Sequence, residues 1–406
     1  MSFFIASVIV AVSCTMISFK TLVGYGGFHV VSKLMVLTLL VLGWFAPVWV
    51  SSLRRSSLGN SEIYNLASLF GYFLFGAVFI LFTLLILRDV CWFALYGLSR
   101  LFKLSWDINP KNETILNISN FIIVGITLAV SFYAAYEALR IPDVKEVNLY
   151  SEKLTKEIDA VVISDLHINR ATPPEHVRKV VERINGLRPD VIFLVGDIFD
   201  DRTDVIAAQA AELKKLRAVH GVYFAVGNHE FYNSLFEHLR LAGREDFKIV
   251  FNNGYQIPDL NLFVSGIPDY TSVRYGNLFL PDIEKAMKGA RPENYRVMLS
   301  HTPSYADLLN SDIVDVQFSG HTHGGQIFPF HFLAEHANKY LDGLYKVNGM
   351  DLYVSRGAGY WGPPMRLLAP AEITLVRLRK PAAEKVLSEQ WKEKEIANAQ
   401  NAGFGL

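Results

Sequence analysis

The sequence predicts an α/β domain preceded by an all-α membrane domain of about four transmembrane helices, and three observations predict it. Four long stretches free of Asp, Glu, Lys and Arg all fall before about position 140. From about Val147 to Leu378 the pattern changes to short β-branched runs alternating with polar, helix-like segments. Side chains able to bind metal fall in five short motifs, each at the end of one of those apolar runs. The expected parts are a multi-pass domain at 1–140, a soluble α/β domain at 147–380, and a polar helix and tail at 381–406.

The first apolar stretch runs from about Ser2 to Ser18, the second from Leu34 to Leu53, the third from Ile63 to Leu87 and the fourth from about Leu116 to Tyr136. Each is long enough to cross a hydrocarbon core of about 30 Å. Apolar residues cover every face of the last three, which a core helix with one wet side does not need. The first is read as a retained span, because no positive residue precedes it and Lys20 follows it. Trp44, Trp49, Tyr72 and Tyr133 offer interfacial anchors. Cys91 to Leu104 mixes aromatics with Arg100 and Lys103 and has two readings: a helix lying flat among headgroups, or an extension of the third span.

Loop charges set the orientation. Lys20, Lys33, Arg88, Arg100, Lys103 and Lys111 slightly outweigh the Arg54–Arg55 side, which leans the large domain outside the cytoplasm, at a plasma membrane. The span centres carry no ionisable residue of the kind ion paths use, which argues against a transporter. With 39 basic and 39 acidic residues the chain is neutral overall, so no nucleic-acid partner is expected. The two cysteines, Cys14 and Cys91, lie in or beside the apolar stretches and leave the soluble domain without thiols. Nothing in the sequence sets an oligomeric state.

In the soluble domain, Asp159–Ser164, Val191–Val195, Val222–Val226, Arg296–Ser300 and Val314–Phe318 read as buried strands. Helices are expected at Glu175–Asn185 behind Pro173-Pro174, at about Asp204–Ala218, and at Pro281–Lys288. Sites in open α/β sheets form beyond the carboxyl ends of strands, which is where each motif lies. A charged segment at Glu384–Gln400 reads as a solvent-facing helix.

The first motif is Ser164-Asp165-Leu166-His167, whose second and fourth residues face the same way from an extended chain. Gly196-Asp197-Ile198-Phe199-Asp200 follows, with Gly allowing the tight turn that brings a carboxylate to the strand end. There Asp200 is either an acceptor that orients a ligand or a helix cap. Gly227-Asn228-His229-Glu230 offers an amide oxygen and a histidine, and Ser300-His301 a further imidazole. Gly320-His321-Thr322-His323-Gly324-Gly325 puts two histidines in a glycine-flanked turn. Oxygen and imidazole donors without thiolate suit a pair of divalent cations sharing a carboxylate.

Together, in this order, the five blocks resemble the calcineurin-like metallophosphoesterase family, over about Ile158 to Leu378. The later stretches Ser355-Arg356-Gly357-Ala358-Gly359 and Gly362-Pro363-Pro364-Met365-Arg366 look like its membrane-anchored branch. The resemblance implies a metallophosphoesterase-type central β-sandwich flanked by helices. It implies that Asp165, His167 and His323 bind one metal, that Asn228, His301 and His321 bind the other, and that Asp197 bridges them. His229 would contact the scissile phosphate and assist the leaving group, with Glu230 supporting it. The expected cofactors are two divalent ions, drawn from manganese, iron, zinc or nickel. The expected activity is hydrolysis of a phosphodiester, phosphomonoester or pyrophosphate bond by a metal-bridging hydroxide. Ile327-Phe328-Pro329-Phe330 and His331-Phe332-Leu333 have two readings, an apolar lip for a lipid tail or aromatics packed under the domain or onto the membrane surface. The expected partners are the lipid bilayer, from the spans, and a phosphoester that is lipid-linked on the first of these readings. The alternatives are a soluble nucleotide diester as substrate, or a sensor that uses the domain only to bind ligand.

Overall fold

The computed structural model describes residues 2–24, 28–59, 61–104 and 112–381. The chain divides into two compact units. One holds the residues up to Ile141 together with Thr322–Leu341 and Gly359–Ala371; the other holds Pro142–His321, Asp342–Ala358 and the chain from Glu372 onward. The charged segment Glu384–Gln400 lies outside the described residues.

The apolar unit contains α1 (Ser2–Val23), α2 (Val30–Trp44), α3 (Ala46–Arg54), α4 (Glu62–Leu101) and α5 (Glu113–Leu139). Three of these, α1, α4 and α5, are long and apolar enough to cross a membrane, and the bent pair α2–α3 makes up to four spans. The second span was expected to be continuous from Leu34 to Leu53. Instead α2 and α3 meet at a 62° bend, because Pro47 in the first turn of α3 lacks the N–H that would carry the helix through. The flat helix at Cys91–Leu104 is replaced by its alternative, since α4 runs unbroken to Leu101. Trp44 packs α2 on α4 through edge-on contacts with Phe75, Phe79 and Phe82. A polar knot joins three helices: Arg88 Nη1 donates to Ser119 Oγ at 2.8 Å and Asn120 Oδ1 at 2.7 Å, and Asn120 Nδ2 donates to the carbonyls of Thr21 and Leu22.

The second unit is a β-sandwich. Its first sheet has the order β1 (Asp143–Tyr150), β12 (Glu372–Arg379), β2 (Ile158–Ile163), β3 (Val191–Val195), β4 (Val222–Ala225), β5 (Lys248–Ile249). The second runs β10 (Gly343–Val347), β11 (Met350–Val354), β9 (Val316–Ser319), β8 (Tyr295–Leu299), β7 (Leu262–Gly266), β6 (Asn253–Ile257). One core of Val162, Phe193, Val195, Tyr223, Val264, Val297, Phe318 and Val376 joins the two inner faces, and Phe193 stacks on Phe318 with centroids 5.7 Å apart. Strands β2, β3 and β4 are parallel neighbours, as are β7, β8 and β9. Their carboxyl ends therefore share one edge within each sheet, and the loops that leave them carry the motifs.

Helices α6 (Pro174–Gly186), α7 (Ala207–Leu213), α8 (Asn228–Asn233), α9 (Leu235–Arg244) and α10 (Ile283–Ala286) follow the strands. Pro174 sits in the first turn of α6, as the sequence predicts. The helix expected at Asp204–Ala218 is shorter. Asn185 of α6 draws the chain after Leu213 out of helix, donating to the Lys215 carbonyl and accepting from the Arg217 N–H. The helix expected at Pro281–Lys288 begins only after Asp282, whose carboxylate caps it by accepting from Lys285 N at 2.9 Å.

Candidate metal centre

Five loops bring their motif residues to the ends of β2, β3, β4, β8 and β9. Two of them are zipped together, with Asp165 N–H donating to the Gly196 carbonyl and His167 N–H to the Asp197 carbonyl, each at 3.0 Å. Asp165, His167, Asp197, His321 and His323 all have left-handed backbones, with φ of 52°, 48°, 52°, 72° and 52°. For a residue with a Cβ this conformation costs about 1–2 kcal/mol. Its concentration on candidate ligands is the mark of a functional site, where the chain reverses so that each side chain turns inward. Glycine serves the same end at Gly227 and Gly320, where a Cβ would fall on the carboxylates of Asp197 and Asp165 respectively.

Asp197 is at the centre and is 2% exposed. Its Oδ2 lies 3.1 Å from His301 Nε2, 3.8 Å from His167 Nε2 and 3.9 Å from His229 Nε2. Asp165 Oδ1 lies 3.9 Å from both His167 Nε2 and His301 Nε2. Two groups, His167–Asp197–His229 and Asp197–His301–His321, each present ligand atoms within 4.8 Å of one another. Asn228 Oδ1 meets His321 Nδ1 at 3.0 Å. His323 belongs to the apolar unit, two residues beyond His321. There its Nδ1 lies 3.2 Å from Nη2 of the fully buried Arg366.

The tautomers decide whether cations fit. His301 Nδ1 sits 2.9 Å from the Val195 carbonyl, which can only accept, so Nδ1 carries the proton and Nε2 carries a lone pair. That lone pair faces the buried Asp197 carboxylate, with Nε2 3.1 Å from Oδ2, and Nε2 completes no hydrogen bond. Two facing lone pairs repel each other. A cation between them removes the repulsion, and without one His301 takes up a proton: burial would lower its pKa, but Asp197 and Asp165 hold it well above the imidazole range. The donor set and its geometry fit divalent metal.

His229 Nδ1 donates to Asp200 Oδ1, and His167 Nδ1 lies 3.4 Å from Asp200 Oδ2. Asp200 is therefore an acceptor that orients the His229 imidazole, with His167 Nδ1 at ion-pair distance, and not a helix cap. Burial would lower the His229 pKa, but Asp197 and Asp200 outweigh it and the protein's own groups raise it to about 9.

Glu230 is fully buried and accepts four backbone N–H groups. Its Oε2 takes those of Asp197 and Gly227, and its Oε1 those of Ile198 and Phe199, at 2.7–3.0 Å. One carboxylate thus pins the β3 loop to the β4 loop. Burial, joined by the charge of Asp197, raises its pKa above the usual carboxylate range. Glu230→Gln keeps the shape but turns an N–H2 toward two N–H donors, which should cost about 3 kcal/mol. The expected result is a thermal midpoint lower by roughly 6–12 °C in a melt of the purified protein. An unchanged midpoint would show that these contacts contribute nothing.

Residues 159–325 match the model of the calcineurin-like phosphoesterase family. An uncharacterized metallophosphoesterase of Helicobacter pylori strain J99 is 36% identical over 266 residues, covering 64% of this chain and 71% of its own. A transmembrane protein with metallophosphoesterase domain from Danio rerio is 30% identical over 354 residues, covering 82% of this chain and 75% of its own. That share exceeds what the residues after Ile141 can supply, so the likeness reaches into the apolar helices. A dimetal phosphatase from Danio rerio, of solved structure, superposes on 50% of this chain and 88% of its own at 14% identity, with a TM-score of 0.32.

Proposed function

The chain belongs to the calcineurin-like phosphoesterase family and is a phosphoester hydrolase, and from that premise we propose that it is membrane-anchored and acts on a lipid-linked substrate. The bond cleaved is a phosphodiester, phosphomonoester or pyrophosphate. Asp165 and His167 with His323 hold one cation, Asn228, His301 and His321 hold the other, and Asp197 is shared. The observation that carries this reading is the buried Asp197 carboxylate set between His301 and His167, whose Nε2 atoms lie 3.1 and 3.8 Å from its Oδ2. His323 enters on its place in the motif. Manganese, iron, zinc and nickel all suit oxygen and imidazole donors. Bound there, two such cations supply an acidified water as nucleophile and counter the charge that develops on phosphate oxygens.

The chain's own residues do the rest. Asp200 accepts a hydrogen bond from His229 Nδ1–H and so leaves Nε2 facing the Asp197 side of the pocket. Protonated there, His229 donates to the departing oxygen. Glu230 keeps the β3 and β4 loops at fixed separation, so His229 and Asp197 do not drift apart.

The lipid-linked reading is supported by large apolar side chains exposed just after the fifth motif, at Phe328, Phe330, Phe332 and Leu333. The loop charges support placing the hydrolytic part outside the cytoplasm, and the membrane in this reading is the plasma membrane. The test offers the purified full-length chain a micellar lipid phosphoester, a soluble nucleotide diester and a simple phosphomonoester, with each of the four metals in turn. Metal-dependent hydrolysis fastest on the lipid is expected. A nucleotide diester cleaved as fast as the lipid removes the lipid reading, and inertness toward all three with every metal removes the activity.

A further inference from the structure

The chain after the fifth motif does not pack like a soluble loop. Residues 326–328 and 361–368 are tied to each other: Ile327 bridges Leu367, Gln326 Nε2 donates to the carbonyls of Trp361 and Pro363, and Trp361 N–H donates back to Gln326 Oε1 at 3.0 Å. This pair of segments is keyed into the apolar helices of its own unit. Ile327 and Met365 form one buried cluster with Ala77 and Ile80 of α4 and Ala134 of α5. A Cβ on Gly76 would lie 2.5 Å from Met365 Sδ, so glycine is what lets the segment approach. Arg366 N–H donates to the Ala134 carbonyl at 2.8 Å.

The level of this dock is read along the helices. Eleven residues of α4 separate Ala77 from Arg88, and fourteen of α5 separate Ala134 from Asn120. At 1.5 Å per residue these are about 16 and 21 Å from the Arg88–Asn120 knot. Both are shorter than a hydrocarbon core of about 30 Å. With the knot at one polar boundary, the dock falls within the apolar thickness. Large apolar side chains beside the dock are exposed: Phe332 by 61%, Leu333 by 64%, Trp361 by 56% and Leu368 by 76%. Helix α11 (Phe330–Asn338) is graded along its length, with Phe330, Phe332 and Leu333 around His331 in its first turn, Glu335, His336 and Asn338 in its second, and Lys339 just beyond.

We propose that residues 326–333 and 361–368 are embedded in the bilayer, with the Phe332, Leu333, Trp361 and Leu368 side chains among acyl chains and Glu335 and Lys339 at the headgroups. The occupant of this face is the lipid in which α4 and α5 sit, because the face is continuous with them. The inference is independent of the hydrolytic reading. It rests on the membrane-anchored reading of α4 and α5.

The test uses the full-length chain in phosphatidylcholine vesicles. In a variant whose other tryptophans are phenylalanine, Trp361 emission is compared in lipids with and without brominated acyl chains. A side chain some 5–10 Å below the headgroups should lose about half its emission or more. Acrylamide in the aqueous phase should quench it weakly. Strong acrylamide quenching with none from the brominated lipid overturns the proposal. Because Trp44 packs in the helix core, a second measurement avoids that change: a nitroxide placed by Phe332→Cys, with Cys14 and Cys91 replaced by alanine. Relaxation by oxygen exceeding that by an aqueous nickel chelate supports the bilayer. The reverse order, or spin–spin broadening that grows with protein density, assigns the face to water or to a second copy and overturns it.

Discussion

Asp197→Asn is expected to lower hydrolysis at least about 10³-fold, a barrier increase of about 4 kcal/mol, and to reduce bound metal from two ions per chain to one or none. The change is nearly isosteric. The Oδ1 of asparagine still accepts from His229 N–H, as Asp197 does at 2.8 Å, so the loop has no reason to unfold. What disappears is the charge. The Nε2 atoms of His301 and His167 lie 3.1 and 3.8 Å from Asp197 Oδ2, and each presents its lone pair to a cation only if a shared anion holds that cation between them. Elemental analysis of the purified variant beside its rate decides the matter. Two ions retained at an undiminished rate would show that the carboxylate is not shared.

His229→Gln should act on a different quantity. The expected fall in kcat is about 10²–10⁴-fold, with both metals retained, because the loss is a proton donor and not a ligand. The pH profile carries the sign. A donor works only while protonated, so wild-type kcat declines on the alkaline side as His229 loses its proton. Burial opposes that proton, and Asp197 and Asp200 restore it, raising the pKa to about 9 from the protein's groups alone. Two cations nearby repel it, so the limb lies below that value. The variant should lack the limb. An alkaline limb that survives in the variant would assign the titration to another group, and a loss of metal would make His229 a ligand.

The hydrolytic core was legible because its chemistry is local. Strands β2, β3, β4, β8 and β9 are short, almost wholly buried and mostly apolar, and each ends in a motif residue, so the reading of sites at strand ends carried over to within two residues at the strand boundaries. The outer strands were not legible. Strand β1 reads Asp-Val-Lys-Glu-Val-Asn-Leu-Tyr, and it forms because β12 lies parallel to it, with Asp143 opposite Glu372 across more than two hundred residues. The role of Glu230 was also out of reach, since four of its bonds go to backbone groups that every residue possesses. Pro47 was a signal that could have been used: a proline inside an apolar stretch marks the bend between α2 and α3.

The sequence by itself determined the kinds of atoms available: carboxylate, amide and imidazole at five strand ends, long apolar helices ahead of them, and no thiol among them. Those are properties of side chains and of their spacing along the chain. The fold alone decided which imidazole nitrogen carries a proton, that Asp200 serves two histidines, and that the stretch after His323 seats Met365 against Gly76. Each of these depends on a partner distant in sequence, and a tautomer or a close approach exists only once that partner has arrived.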